Sequence, residues 1–271
     1  MGRPGQNRVD YGGTGMNNVD QTHPAMLLHY RIYKNAGTSI DRMLRQSLGT
    51  RWGTCECAPE AHTLSPDEIA AFLMERPDLT AASSHSARPP LPGQHVHPIV
   101  LLRHPIDRAR AVYHFARRDP TQPGHHVARE GSCLDYVGWS LGTPGVGVVI
   151  RNYQVIHLSA ASCRYADIQA AEAMEADLVE TKVLLLGWAV FGIVRAFAES
   201  CRLFKSAFGS KFPDLRFVSR HENISTDRSI TEKWPGAISR SEAPLARLDA
   251  RHFQKQRLRV GMIGPPRKRF G

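Results

Sequence analysis

A chain of 271 residues has room for one large domain or two small ones, and 42% hydrophobic with 22% charged residues excludes wholesale disorder. Its 35 Lys and Arg against 25 Asp and Glu give a net charge of +10 and a pI near 9.7. That balance suits a polyanionic, phosphorylated or sulfated ligand, or an anionic membrane surface. Seven of the basic residues fall in Arg251–Gly271, which holds no Asp or Glu, so the rest of the chain carries only 28 against 25.

Residues 1–23 are rich in Gly and Asn, lack the apolar stretch of a secretory signal, and are expected to be a flexible tail. Met26–Ile32 predicts a strand that runs into Lys34-Asn35-Ala36-Gly37-Thr38-Ser39. Ile40, Met43, Leu44 and Leu48 then recur at helical spacing, and Gly49 suits the C-cap. Ser65-Pro66-Asp67-Glu68 is a helix start with a capping box, Ile69, Phe72 and Leu73 supply the buried face, and Pro77 is the stop. Leu79–Ser84 predicts a second strand ending at His85. Ile99–Leu102, continuously apolar, predicts a central parallel strand ending at Arg103, and a helix follows through Val112 and Phe115.

Further along, Asp119–Gly131 reads as a surface loop and Ser132–Leu141 as a short Ser-capped helix. Ala166–Leu178 reads as an Ala/Glu-rich helix, Lys182–Leu186 as a fourth strand, and Val194–Phe208 as a helix buried through Phe197, Cys201, Phe204 and Phe208 and ended by Gly209. The longest apolar run, Val183–Val194, has twelve residues where a membrane span needs roughly 20, so it is expected as core and no membrane span is expected. Strands alternating with helices predict one α/β domain over 24–250, a central mostly parallel sheet flanked by helices, followed by a basic segment over 251–271. The five cysteines include a Cys55-Glu56-Cys57 but no second pair at zinc spacing; Cys133, Cys163 and Cys201 are scattered. No metal is expected, and the chain reads as a reduced cytoplasmic protein.

Binding a phosphate group takes backbone N–H donors at close range, a cation and hydroxyls. The strand-to-helix loop Lys34–Ser39 has all three, with the helix dipole added. It is not a Walker A loop, because Lys34 precedes Gly37, so a magnesium-dependent ATPase is disfavoured. By itself the loop reads equally well as an ordinary βα turn. Arg103, at the end of a central strand, points to the crevice where doubly wound sheets bind ligands.

On these two elements the chain resembles the P-loop-like sulfotransferases, in the branch related to carbohydrate sulfotransferases. Their first motif has the form I-P-K-T-x-G-T-S after a strand, matched here by Tyr33–Ile40 (YKNAGTSI). Their second, R-x-P-x-x-R-x-x-S-x-Y, is matched by Arg103–Tyr113 (RHPIDRARAVY). Leu79–His85 is similar to a strand ending in a Gly-His step, Asn152-Tyr153-Gln154 with Leu158-Ser159 to an Asn-x-Gln element, and Leu186–Phe204 to a late strand, Gly turn and helix. The resemblance spans roughly residues 24–225 and implies a three-layer, P-loop nucleotide-binding-like architecture.

It also implies a sulfuryl donor, 3′-phosphoadenosine 5′-phosphosulfate (PAPS), and a hydroxyl acceptor of carbohydrate type. Lys34, Asn35, Ala36, Gly37, Thr38 and Ser39 would cradle the 5′-phosphosulfate, and Arg103 would fork onto the 3′-phosphate. Lys34 would neutralise the bridging oxygen as the sulfuryl group leaves, work that requires no metal. His85 is the candidate base, since a histidine of ordinary pKa near 6.5 can take the acceptor's proton. At Asn35 and Ala36 the N–H groups are expected to matter more than the side chains. Glu68 and Asp107 are alternative bases, better explained as a capping box and a first-turn charge. Arg108 is expected to be a structural or electrostatic partner and Arg42 and Arg45 a solvated face; Arg88, near His85, is a candidate for an anionic acceptor but not the expected contact. Trp52, Trp139, Trp188 and Trp234 are expected in the core; acceptor pockets in such folds come from loops, and the loops 51–64 and 117–131 carry no decisive signature.

Two departures stand out: Ala111 replaces the Ser of the second motif, and Arg195-Ala196 replace a Glu-Arg pair. They motivate the alternative of a non-catalytic phosphonucleotide-binding protein of the same fold. No nucleic-acid motif accompanies the basic segment, so no nucleic-acid partner is expected, and a nucleoside kinase rests on fold alone.

Overall fold

Leu27 and Leu28, neighbours in the first strand, are both fully buried but join different apolar clusters, so the sheet must be covered on both faces. The computed structural model describes residues 24–57, 63–159, 161, 164 and 170–217. The expected tail (1–23), the basic segment (251–271), Cys163 and Trp234 lie outside the described residues. Strands β1 (Met26–Tyr30), β2 (Trp52–Thr54), β3 (Ala81–Ser84) and β4 (Val96–Ile99) form a central four-stranded sheet of order β2-β3-β1-β4, parallel throughout. β4 runs through Val100 into β5 (Leu101–Leu102), which pairs in parallel with β6 (Gly192–Ile193). The Gly192 N–H donates to the Val100 carbonyl at 2.7 Å, so the ladder continues past the short break.

Helix α1 (Gly37–Leu48) turns Ile40, Met43, Leu44 and Leu48 onto one face of the sheet. There it meets Phe197, Cys201, Phe204 and Phe208 of the late helix, described below. Each such side chain contributes about 1.5–3 kcal/mol by leaving water, so Leu44→Ala would cost roughly 2–5 kcal/mol. Gly49 ends α1 at φ 59°, a left-handed conformation that suits glycine. Helix α2 (Pro66–Glu75) covers the opposite face with Ile69 and Leu73, and Ser65 and Glu68 form the expected capping box. Three further helices, α3 (Pro105–Arg118), α4 (His125–Glu130) and α5 (Cys133–Gly142), share a separate cluster built on Val112, Tyr113, Ala128, Tyr136 and Val137. The remaining helices are α6 (Tyr153–Leu158), α7 (Glu175–Gly187) and α8 (Phe197–Phe208). The result is an α/β fold with helices on both faces of a parallel sheet.

Four sequence expectations need correction. Lys182–Leu186 is not a strand but the last part of α7. Its buried residues Asp177, Thr181 and Leu185 fall four apart, and a continuous apolar run does not by itself separate a strand from a helix. The run Val183–Val194 is not all core either, since Val183 and Leu186 are exposed on that helix. Ala166–Leu178 is not one helix: among its described residues, α-helix begins only at Glu175. Asp119–Gly131 is not loop throughout, because it contains α4, which packs Ala128 against α3 and α5. The edge strand β2 was not anticipated; it is three residues long and only partly buried.

Candidate functional site

Because β1, β3 and β5 are parallel, their C-terminal ends open on one edge of the sheet, and each delivers one expected site element there. β1 leads into the Lys34–Ser39 loop, β3 ends at His85, and β5 ends at Arg103. Lys34, Ala36, Gly37, Thr38, Ser39, His85 and Arg103 all line one cavity of about 520 Å³. Of the expected residues only Asn35 does not face it. Arg31 and Arg118 also line this cavity, and no Asp or Glu is found among its described lining residues.

The loop takes its shape from two non-glycine residues in the left-handed region, Lys34 at φ 63° and Ala36 at φ 62°. Such residues cost on the order of 1 kcal/mol each and persist where the surroundings enforce them. Turns of this alternating hand aim successive N–H groups into one concavity. Ala36 is the N-cap of α1 and makes no side-chain cap bond; the Ser39 N–H turns back to the Ala36 carbonyl at 3.0 Å, and Gly37 and Thr38 of the first turn line the cavity without a side-chain cap. The Lys34 ammonium lies 3.0 Å from the centroid of the Phe115 ring and 4.9 Å from that of Tyr33. Desolvation, helped by the charges of Arg118 and Arg103, pulls its pKa down to about 8. Arg103 donates from Nη1 to the Lys34 carbonyl at 3.0 Å, which ties strand end to loop. Burial lowers the Arg103 pKa as well. Four cations facing a space without carboxylates make it a receptor for anions.

Asn35 corrects the sequence reading, because its side chain does structural work. It is 2% exposed and donates from Nδ2 to the Leu101 carbonyl and to Gln154 Oε1, both at 2.7 Å. At Ala36 no such correction arises.

His85 stands at the cavity mouth, exposed on one side. Its Nδ1 lies 2.6 Å from the Arg31 carbonyl, and since a carbonyl only accepts, Nδ1 carries the proton. Nε2 is then the acceptor nitrogen. Desolvation of the inner edge, and the positive charge of Arg31, push its pKa down to about 4, so the ring is neutral at pH 7. Its main chain is gripped by Glu56, whose carboxylate accepts from the His85 N–H at 2.9 and 3.0 Å and from the Ser86 N–H at 3.2 Å. The same stretch is held from two further sides: Cys57 N–H donates to Ser86 Oγ at 3.2 Å, and Leu64 N–H to the Ser86 carbonyl at 2.8 Å. Arg31 is oriented by the buried carboxylate of Asp41 at 2.9 Å, which also meets His29 at 2.9 Å. Burial alone would raise the Asp41 pKa, but hydrogen bonds from His29 and Ser83 and the Arg31 charge hold it below the usual range.

The other candidates fall elsewhere. Glu68 is occupied in its capping box, and Asp107 pairs with the exposed Arg195 at 3.0 Å. Arg108, fully buried, donates to the carbonyls of Val149 at 2.6 Å and Ile150 at 3.1 Å, a structural role. Arg88 is also buried and donates to the carbonyls of His85 and Ala87, so it braces the loop from behind and does not line the cavity. Arg42 and Arg45 are exposed, as expected. Trp188 is buried and stacks on Tyr30 at 5.7 Å, whereas Trp52 is only part-buried. Ala111, the departure already noted in the second motif, lines the cavity with a methyl group. Sequence reasoning missed Arg31, Arg118, Glu56 and the contribution of Gln154. Two of these left a trace: Arg118, two turns beyond Ala111 on the same helix face, and Gln154, the last residue of the Asn-x-Gln element noted in the sequence.

Among the described residues, no group of three or more His, Cys, Asp or Glu is placed to hold a metal ion, and no helix is long and apolar enough to cross a membrane. No family model matches the chain. It is similar to an uncharacterized protein of Archaeoglobus fulgidus, 26% identical over 218 residues, which cover 77% of this chain and 83% of that protein.

Proposed function

We propose that the protein is a sulfotransferase that moves a sulfuryl group from 3′-phosphoadenosine 5′-phosphosulfate to an acceptor hydroxyl, of carbohydrate type. The observation that carries this reading is the meeting of Lys34, the 36–39 loop, Arg103 and His85 around one cavity. The lining suits such a donor: a left-handed loop, an uncapped helix start and four cations about a space without carboxylates fit a nucleotide carrying two anionic groups. The nucleotide supplies the sulfuryl group and departs as 3′-phosphoadenosine 5′-phosphate. The loop N–H groups and Lys34 hold the 5′ end, and Arg103 holds the second phosphate. As the acceptor oxygen bonds to sulfur and the bridging S–O bond breaks, Lys34 takes up the charge growing on the leaving oxygen. His85 Nε2 accepts the acceptor's proton, with its ring oriented by the Arg31 carbonyl. The reduced, cytoplasmic setting read from the scattered cysteines belongs to the same proposal.

A second reading, a nucleotide-binding protein without transferase activity, is favoured by Ala111 and by the weak basicity of His85. Labelled sulfate transfer to a panel of glycans separates the two. Transfer by the wild type that falls by at least about 100-fold in Lys34→Ala and His85→Ala supports the transferase. Full activity in both variants overturns these roles, and nucleotide binding without transfer to any acceptor favours the second reading.

A further inference from the structure

Gln154 lies 51 residues from Arg103 and 119 from Asn35 along the chain, yet its single amide meets both. Oε1 accepts from the Arg103 N–H at 2.9 Å and from Asn35 Nδ2 at 2.7 Å, while Nε2 donates to the Arg103 carbonyl at 2.9 Å. One side chain thus satisfies both backbone groups of Arg103, as a neighbouring strand would. It does so where the ladder gives out, since the last β5–β6 pair is Leu102 with Ile193. Asn35 carries the link onward through its second bond to the Leu101 carbonyl.

The surroundings make this bracket stiff. Gln154 is 1% exposed, so no solvent competes for these bonds, and hydrogen bonds in a dry interior are strong and directional. Asn152, left-handed at φ 54°, sets the start of α6, and Arg108 fixes the two carbonyls just before it. Neither Gln154 nor Asn35 lines the cavity, so both act through the residues they hold.

We propose that Gln154 and Asn35 are a positioning pair that sets the spacing between the Lys34–Ser39 loop and Arg103, and with it the separation of two anionic groups that the cavity accepts. The proposal rests on the reading of this cavity as a nucleotide site. Its test uses Gln154→Leu and Gln154→Glu; the second keeps an acceptor for Asn35 and the Arg103 N–H but replaces the donor to the Arg103 carbonyl by a carboxylate oxygen that repels it. Calorimetry compares 3′-phosphoadenosine 5′-phosphate, which bridges loop and Arg103, with adenosine 5′-phosphate, which reaches one of them. The bridging nucleotide should bind about tenfold more weakly to both variants, and the single-phosphate nucleotide within about twofold of wild type.

Equal losses for the two nucleotides, or no loss, overturn the pair's role, as does an undiminished Gln154 effect in an Arg103→Ala background. If Gln154→Leu does not fold, Gln154→Glu decides. Should the wild type bind neither nucleotide, the nucleotide-site reading falls and the pair is judged on the free protein by hydrogen exchange. Amides 34–39 should then exchange about tenfold faster in the Gln154 variants than in Thr181→Val, which loses a bond from α7 to α6 instead. Unchanged exchange overturns the proposal.

Discussion

Helices α1 and α2 begin in opposite ways. α2 starts with its donors closed off, Ser65 accepting from the Glu68 N–H and Glu68 reaching back to the Ser65 N–H at 2.8 Å. α5 repeats the device with Ser132 and Asp135. α1 and α3, which follow β1 and β5 at the cavity edge, have Ala36 and His104 at the N-cap and no side-chain cap bond. α2 and α5, away from the cavity, close their own first-turn donors, whereas α1 and α3 at its edge do not; α4, α6 and α8 lack a side-chain cap too, so the contrast holds between these two pairs. Two of the three non-glycine residues at positive φ among the described residues, Lys34 and Ala36, also stand where the cations gather.

That contrast can be broken from either side. The largest effect expected is on Lys34→Ala, which should weaken 3′-phosphoadenosine 5′-phosphate by about 100-fold in calorimetry while leaving the melting temperature unchanged or higher. Removal of a half-buried ammonium with a lowered pKa relieves desolvation, so a large fall in melting temperature would contradict the division of labour.

pH should separate the two titrating groups. Transfer needs His85 neutral, hence pH above about 4, and Lys34 charged, hence pH below about 8. The profile of kcat/KM should be flat between those limits and fall on both sides. Bound anions favour the charged lysine, so the alkaline limb of kcat should lie higher, and Lys34→Arg should abolish that limb. An alkaline limb that survives the Arg variant assigns it to another group.

At the sealed end, Ser65→Ala should lower stability by about 1 kcal/mol in urea unfolding and leave nucleotide affinity untouched. The smallest effect belongs to Ala36→Gly, which relieves a left-handed alanine and should stabilise by less than about 1 kcal/mol. A destabilised Gly variant would mean that the loop's φ is not held against preference.

What the sequence made legible was local. Ser65-Pro66-Asp67-Glu68 names its own cap, Gly49 its own stop, and the spacing of Ile40, Met43, Leu44 and Leu48 its own buried face, because each signal is contained within a few residues. The Lys34–Ser39 loop was legible for the same reason. What was not legible depended on partners far along the chain: Asn35 reads as a neutral loop residue until Gln154 arrives from α6, and Arg31 as a strand-end charge until Asp41 meets it from α1. Lys182–Leu186 failed differently, since an apolar run satisfies strand and helix alike and only burial on one stripe decides.

The grip on His85 has a consequence for the chain between Cys57 and Leu64. Glu56 and Cys57 on one side and Leu64 on the other are all pinned to the short stretch around Ser86. The chain thus leaves at Cys57 and returns at Leu64 against the same residue, Ser86, next to His85. Substitution in that interval should leave the backbone bonds of His85 in place, which hydrogen exchange of the His85 and Ser86 amides would check.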